Sequence, residues 1–212
     1  LILINTEKGG ATWGEYALQL WPDFTTKEAR NNFHFTLSYL KKMIVSGFII
    51  SRRNLYLLNR DLARSDIWEF EECYRRFKEA RIEQKIHKAE IYALDMILKG
   101  KGDFLPEFRS EAIEAKRWEI ENRLEEVLLW LATRHLDKLE YNEAINFARL
   151  VINRTPLSER AYRIIIRSYL EQGERARAFQ YYERLRILLK QEFGVEPSPE
   201  TKRLISAIKK SN

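Results

Sequence analysis

Six residue pairs in the second half of the chain stand 34 positions apart: Leu128 and Tyr162, Leu131 and Ile165, Ala132 and Ile166, Leu136 and Leu170, Ala144 and Ala178, Val151 and Leu185. No other feature restricts the fold as much. A period of this length is one helical hairpin, which hides its apolar face only by stacking on the next. Small residues, Ala144 and Ala178, fall where the helices would cross. Pro156 closes the first copy, and Gly173 supplies the turn inside the second. The position equivalent to Pro156 is Lys190, so the second copy lacks that mark. Tyr141, Tyr162, Tyr169, Tyr181 and Tyr182 fit packing between such helices.

Upstream, the apolar spacing continues the helical array. A helix is expected from Asp66, its cap, to about Ile82. Another follows over about Gln84–Leu98, with Ile86, Ala89, Ala93, Leu94 and Ile97 inward. A long one spans Arg109–Lys138, with Trp118, Ile120, Leu124, Val127, Leu128, Leu131 and Leu136 on its apolar faces. Between the last two, the run Lys99–Pro106 interrupts the array. Its Gly100-Lys101-Gly102 has no preceding strand and no Gly-Lys-Ser/Thr ending, so a packed turn anchored by Phe104 and Leu105 is favoured over a phosphate loop. A last helix, Ser198 to about Ile208, caps the stack. The expected class is mainly α, with residues 66–212 forming an array of the tetratricopeptide kind.

The first third differs. Residues 1–65 carry nine Lys/Arg against five Asp/Glu, whereas the rest carries 28 against 26. Leu1–Ile4 reads as the end of a helix, or a short strand, before the turn-rich run Asn5–Gly10. Thr12, with Glu15 three residues on, forms a capping box for a helix over about Trp13–Leu20. Trp21-Pro22-Asp23 stops that helix. Thr25 or Thr26 caps the next, Glu28–Ile44, whose Phe33, Leu37, Leu40 and Ile44 share an apolar face. Its other face has amides, a hydroxyl and two lysines, and no acid after Glu28. Such groups hydrogen-bond base edges and neutralise phosphates, although a solvated face has the same composition. Two β-prone runs follow, Phe48–Ser51 and Leu55–Leu58, joined by Arg52-Arg53-Asn54. Two helices and a hairpin with arginines at its tip outline a winged helix-turn-helix over residues 1–62. The arginines either meet phosphate or the minor groove, or simply solvate the turn.

Composition excludes several classes. Gly and Pro are scarce, 8 and 5 in 212 residues, so disorder is not expected. The net charge of +6 is mild. A lone cysteine, Cys73, cannot form an internal disulfide or a Cys-based zinc site. His34, His87 and His135 match no ligand spacing, and Asn153-Arg154-Thr155 is read as a chance sequon. No apolar run approaches the roughly 20 residues of a membrane span, and LILIN lacks the features of a signal peptide. A reducing, cytoplasmic location is expected, without membrane association. No nucleophile–base set or metal cluster stands out. The chain is expected not to be an enzyme and to take no cofactor.

The residues also carry a resemblance. Leu20-Trp21-Pro22-Asp23, Ala29–Phe33, Leu37–Lys42 and Tyr56-x-Leu58 resemble the OmpR-type winged helix of SARP-family transcriptional activators, and equally the versions fused to MalT-like signalling ATPases. Gly102–Pro106, Pro156-Leu157-x-Glu159, Gly173 and Glu192–Thr201 resemble the bacterial transcriptional activation domain that follows it. The resemblance implies that the helix over Glu28–Ile44 enters the major groove. The residues facing DNA would be Asn31, Asn32, Phe35, Ser38, Tyr39 and Lys41, with Lys42 added on charge and Arg52 and Arg53 on the wing. Position 39 is Tyr where the family usually has Arg. The family's leading sheet and most of its first helix are absent before Leu1, so an incomplete winged helix is expected.

The expected function is therefore a transcriptional activator that reads promoter repeats in double-stranded DNA. Its helical array would contact RNA polymerase, a sensor or ATPase domain, or a second protomer as a homodimer. The alternative is an interaction scaffold or signalling module that does not bind DNA.

Overall fold

A computed structural model describes residues 1–209. The chain is mainly helical and divides into two units. The first holds Leu1–Glu72 and Gly102–Trp118, and the second Cys73–Lys101 with the chain from Glu119 onward.

The first unit opens with α1 (Ile2–Glu7), β1 (Ala11–Thr12), α2 (Trp13–Leu20) and α3 (Thr26–Met43). A hairpin of β2 (Ile49–Arg52) and β3 (Leu55–Leu58) follows. The expected capping box forms at Thr12, and Thr25 rather than Thr26 caps α3, through a second box. Thr12 and Thr25 accept from the backbone N–H of Glu15 and Glu28, whose carboxylates bond back to the cap residues. These hydrogen bonds hold both glutamates below the usual carboxylate range. The box at Thr25 starts α3 two residues earlier than its apolar periodicity suggests.

Two departures have clear causes. The helix at the start runs through Glu7 rather than stopping at Ile4, because Thr6 Oγ1 bonds the Ile2 carbonyl 2.6 Å away and accepts from Leu58 N–H at 2.9 Å. The hairpin also gains a third strand. Ala11 pairs with Tyr56 and Thr12 with Leu55, giving antiparallel order β1-β3-β2. Two residues are too short for an alternation signal. What admits β1 is Gly10 at φ +100°, where a Cβ would lie 3.0 Å from the Tyr56 carbonyl. The core joins Tyr16 of α2, Phe33 and Leu37 of α3, and Ile49 of β2.

The rest of the first unit comes from the starts of α4 (Asp66–Ile82) and α6 (Glu111–Asp137) and the turn before α6. Phe104 and Leu105 are only half-buried. The turn is held by Arg117, which donates to the carbonyls of Phe104 (2.7 Å), Leu105 and Phe108 (2.9 Å). Trp118, expected on the apolar face, is 73% exposed. The buried stripe of α6 runs Ile113, Lys116, Ile120, Leu124, and Trp118 lies off it. A lysine thus occupies the position an apolar residue would mark.

The second unit stacks α5 (Ile86–Lys99), the remainder of α6, α7 (Tyr141–Arg154), α8 (Glu159–Glu171), α9 (Arg175–Phe193) and α10 (Pro199–Lys209). The 34-residue pairs all turn inward. Leu128, Tyr162, Leu131, Ile165, Ala132, Ile166, Leu136, Ala144, Ala178, Val151 and Leu185 are buried, and Leu170 is half-buried. Lys190 has a consequence too. Without a proline there, α9 continues to Phe193 and stops at Gly194, at φ 68°. In α5, Leu94 is 46% exposed and Met96 is buried instead, three residues on from Ala93 and seven from Ala89. Glu125 and Glu126 are half-buried and engaged. Glu125 accepts from Ser158 at 2.6 Å, and Glu126 takes Tyr74, Lys78 and Arg81.

Two sequence signatures far apart in the chain meet here. The Glu159 carboxylate accepts from Ser198 N–H, from Ser198 Oγ at 2.8 Å and from Thr201 Oγ1 at 2.7 Å. Pro156-Leu157-x-Glu159 and Pro197–Thr201 are therefore the two halves of one latch that seats α10 on α8. Burial alone would raise the Glu159 pKa, but the bonds from Thr201 and Ser198 outweigh it and the carboxyl titrates low. A folded pKa below the unfolded one gives stability that is present above the ordinary carboxylate range. That stability is lost as pH falls through the folded value. Glu159→Gln is expected to cost about 1–3 kcal/mol at neutral pH and to flatten the acid limb of the melting temperature against pH.

Candidate nucleic-acid interface

Helix α3 is fixed by three aromatic rings. Phe33 stacks on Tyr16 at 5.8 Å and meets Tyr56 edge-on at 4.9 Å. Tyr16, buried, donates to the Tyr56 carbonyl at 2.9 Å, and burial pushes its pKa up to about 12. These interactions tie α2, α3 and β3 together and set which face of α3 looks outward. Arg30 lies 5.6 Å over Trp13, which pins one flank.

The outward face carries Asn31, Phe35, Ser38 and Lys42, spaced i, i+4, i+7 and i+11 on one stripe opposite Ala29, Phe33 and Leu37. All four are exposed, Phe35 by 75%. The other expected residues on α3 divide between the flanks. Asn32, half-buried, and Tyr39, 60% exposed, are seven apart on one side. Lys41 lies on the other, in line with His34 and Lys27 at seven-residue intervals, and all three are exposed. Lys27 and His34 were not among the residues expected from sequence, although the same spacing would have found them. Glu28, the acid on α3, is engaged by Thr25 at 2.6 Å. Leu40, expected inward, is 36% exposed and borders an apolar groove of about 350 Å³ with Leu1, Leu20, Trp21 and Leu37.

Arg52 and Arg53 are exposed at the hairpin tip. Arg52 pairs with Leu55 across the strands, leaving Arg53-Asn54 as a two-residue loop. Both have positive φ, 50° and 65°, as a tight type I′ turn requires. Asn suits that conformation and Arg does not. The misfit costs roughly 1–2 kcal/mol, which the chain tolerates while keeping a cation at the tip. Arg53→Gly is expected to raise stability by about 1 kcal/mol in urea titrations.

Among the described residues no group of three or more His, Cys, Asp or Glu could hold a metal ion. No helix among them is long and apolar enough to cross a membrane.

The fold is similar to that of EmbR from Mycobacterium tuberculosis, solved in complex with a low affinity phosphopeptide. The TM-score is 0.75 at 16% identity, over 96% of this chain and 55% of that one. The chain thus spans about half the length of that protein. The TPR2B domain of yeast Sti1, solved as a complex with pHsp70, aligns over 68% of this chain and 99% of its own. It does so with a TM-score of 0.46 and 15% identity. No curated protein sequence matches the chain. Residues 65–209, well over half of the chain, match the sequence profile of the bacterial transcriptional activator domain, and the chain belongs to that family.

Proposed function

We propose that the chain is a DNA-binding transcriptional regulator, an activator rather than an enzyme. In this reading residues 1–62 act as a winged helix and residues 66–212 as the activator domain, although 210–212 lie outside the described residues. The observation that carries the proposal is the outward stripe of α3. It combines an amide, an exposed aromatic ring, a hydroxyl and a lysine on the second helix of a pair that a basic-tipped hairpin follows. Asn bonds adenine edges, apolar groups meet the thymine methyl, and lysines neutralise phosphate. Asn31, Asn32, Phe35, Ser38 and Tyr39 would face base edges or sugar. Lys41, Lys42, Arg52 and Arg53 would face phosphates. The family supports regulation of transcription as the setting, and a cytoplasmic location is consistent with it. The helical array would contact RNA polymerase, a sensor or ATPase domain such as the MalT-like proteins carry, or a second protomer.

The test is selection of bound duplexes from a random-sequence pool. A defined consensus is expected, and Asn31→Ala/Asn32→Ala should relax that consensus while keeping most of the affinity. Recovery of no duplex above background at low salt contradicts the proposal.

One observation favours a second reading. Phe35, Tyr39 and Met43 (i, i+4, i+8) are 75%, 60% and 69% exposed and form an apolar strip along α3. Such a strip also suits a protein partner, and the chain would then be an interaction scaffold that does not touch DNA.

A further inference from the structure

The second unit holds a groove of about 220 Å³ bordered by α6, α8 and α10. Leu136, Ile164 and Leu204 give it an apolar floor. Arg160, Arg163 and Arg167 stand along its α8 side, and their i, i+3, i+7 spacing places them on one face of that helix. The middle arginine is committed. Arg163 lies 3.3 Å from Glu200 and 3.9 Å from Glu159, and donates to Thr201. Arg160 and Arg167 are exposed and have no ion pair or hydrogen bond among the described residues. Arg81, Arg134 and Arg154 of the same unit are each held by a carboxylate. Of the acids at the groove, Glu200 is taken by Arg163, and the Asp137 side chain has no partner among the described residues. Two uncommitted guanidiniums therefore face one uncommitted carboxylate.

We infer that this groove docks an acidic peptide segment in an extended, polyproline II-like conformation, with two of its carboxylates held by Arg160 and Arg167. The spacing suits this ligand. Seven residues of helix separate the two arginines by about 10.5 Å. In a polyproline II segment, residues three apart share a face at roughly 9.3 Å, a difference that long side chains absorb. A guanidinium binds a carboxylate through two parallel bonds, and aliphatic residues between the acids would meet Leu136, Ile164 and Leu204. The inference takes from the proposed function only that the helical array binds other proteins, and it does not need α3 to bind DNA.

Fluorescence anisotropy on the full chain tests it, with a labelled short Glu-Pro-Leu repeat as probe and Gln-Pro-Leu and Lys-Pro-Leu repeats as controls. The acidic repeat should bind saturably, and the Gln repeat about tenfold or more weaker. Arg160→Glu/Arg167→Glu should lose the acidic repeat and take up the lysine repeat, a reversal that misfolding cannot produce. If that variant does not fold, Arg160→Gln/Arg167→Gln should weaken the acidic repeat by about tenfold with an unchanged melting temperature. Equal binding of the Glu and Gln repeats overturns the inference, as does full retention of the acidic repeat by either double variant. So does a loss of random-sequence duplex binding that exceeds the loss of peptide. A failure confined to the α3 reading would show as saturable binding of the acidic repeat by a chain that binds no duplex at low salt.

Discussion

Lys116→Met is expected to destabilise the first unit by about 3–5 kcal/mol, the usual cost of removing one member of a buried ion pair. Lys116 is only 5% exposed, and its Nζ lies 2.7 Å from a carboxylate oxygen of Glu7 and 2.7 Å from one of Glu71. Those acids belong to α1 and α4, and the lysine to α6, so one ammonium closes three helices on each other. Burying the charge costs most of what the two pairs return. Taking the ammonium away is a different matter. It leaves two largely buried carboxylates without the ammonium that joins them. Urea unfolding followed by circular dichroism measures the loss. The triple change Glu7→Gln/Lys116→Met/Glu71→Gln should recover most of it, because the uncompensated charge disappears. A loss under about 0.5 kcal/mol for the single change would mean that solvent reaches the cluster and surface values apply.

The second large effect is on binding. Lys41→Ala/Lys42→Ala is expected to weaken duplex binding by about tenfold near physiological salt. The slope of log affinity against log salt should fall by about 1.8, that is 0.9 for each phosphate no longer neutralised. Both lysines are exposed in the last turn of α3. There they complement the helix dipole by only a few tenths of a kcal/mol, so the fold should persist and the change in slope reports on phosphate binding. A slope reduced by about 0.9 rather than 1.8 would assign the phosphate to one lysine. An unchanged slope would remove both from the interface. Arg53→Gly gives the complementary result. It should stabilise the turn yet lower duplex affinity, which separates the tip's cation from its backbone.

Local chemistry made much of this fold legible. The capping box at Thr12 could be read because Thr12-x-x-Glu15 is complete within four residues, and the same spacing in Thr25-x-x-Glu28 decides between Thr25 and Thr26. The stacked hairpins could be read because their apolar positions repeat with a fixed period, and burial follows that period residue by residue. Legibility failed where a residue type stood against its usual place. Lys116 occupies a core stripe because two acids distant in sequence receive it. Periodicity sees only an interruption there and transfers the apolar face to Trp118. The strand β1 is two residues long and exists because Gly10 lets the backbone approach Tyr56, a long-range pairing with no local pattern. Arg117 clamps three carbonyls of the turn before α6, and nothing in Phe104–Phe108 announces a guanidinium.

The α3 face was legible as a set of residues but not as a surface. Sequence spacing placed Asn31, Phe35, Ser38 and Lys42 away from the core, and the structure keeps them there. It could not tell that Asn32 would be half-covered, or that Leu40 would border a groove instead of filling the core. Leu40 lies two turns past Phe33, which the rings of Tyr16 and Tyr56 enclose, so the apolar face outlasts what packs on it. The latch formed by Glu159, Ser198 and Thr201 gives the activator-domain signature a physical meaning. Those residues hold the last helix in place, and a structural role accounts for them without a ligand.

The most direct test of α3 as a DNA-reading helix is a photo-crosslink from its centre. A benzoylphenylalanine in place of Phe35 sits on the outward stripe between Asn31 and Ser38, where the native ring is already exposed to solvent. With the full chain and duplexes recovered from the random pool, irradiation should join the residue to nucleotides within the selected consensus. That product should vanish with competing unlabelled consensus duplex. Labelling that ignores the consensus and resists this competitor, or crosslinks confined to protein, would show that this face of α3 does not read DNA.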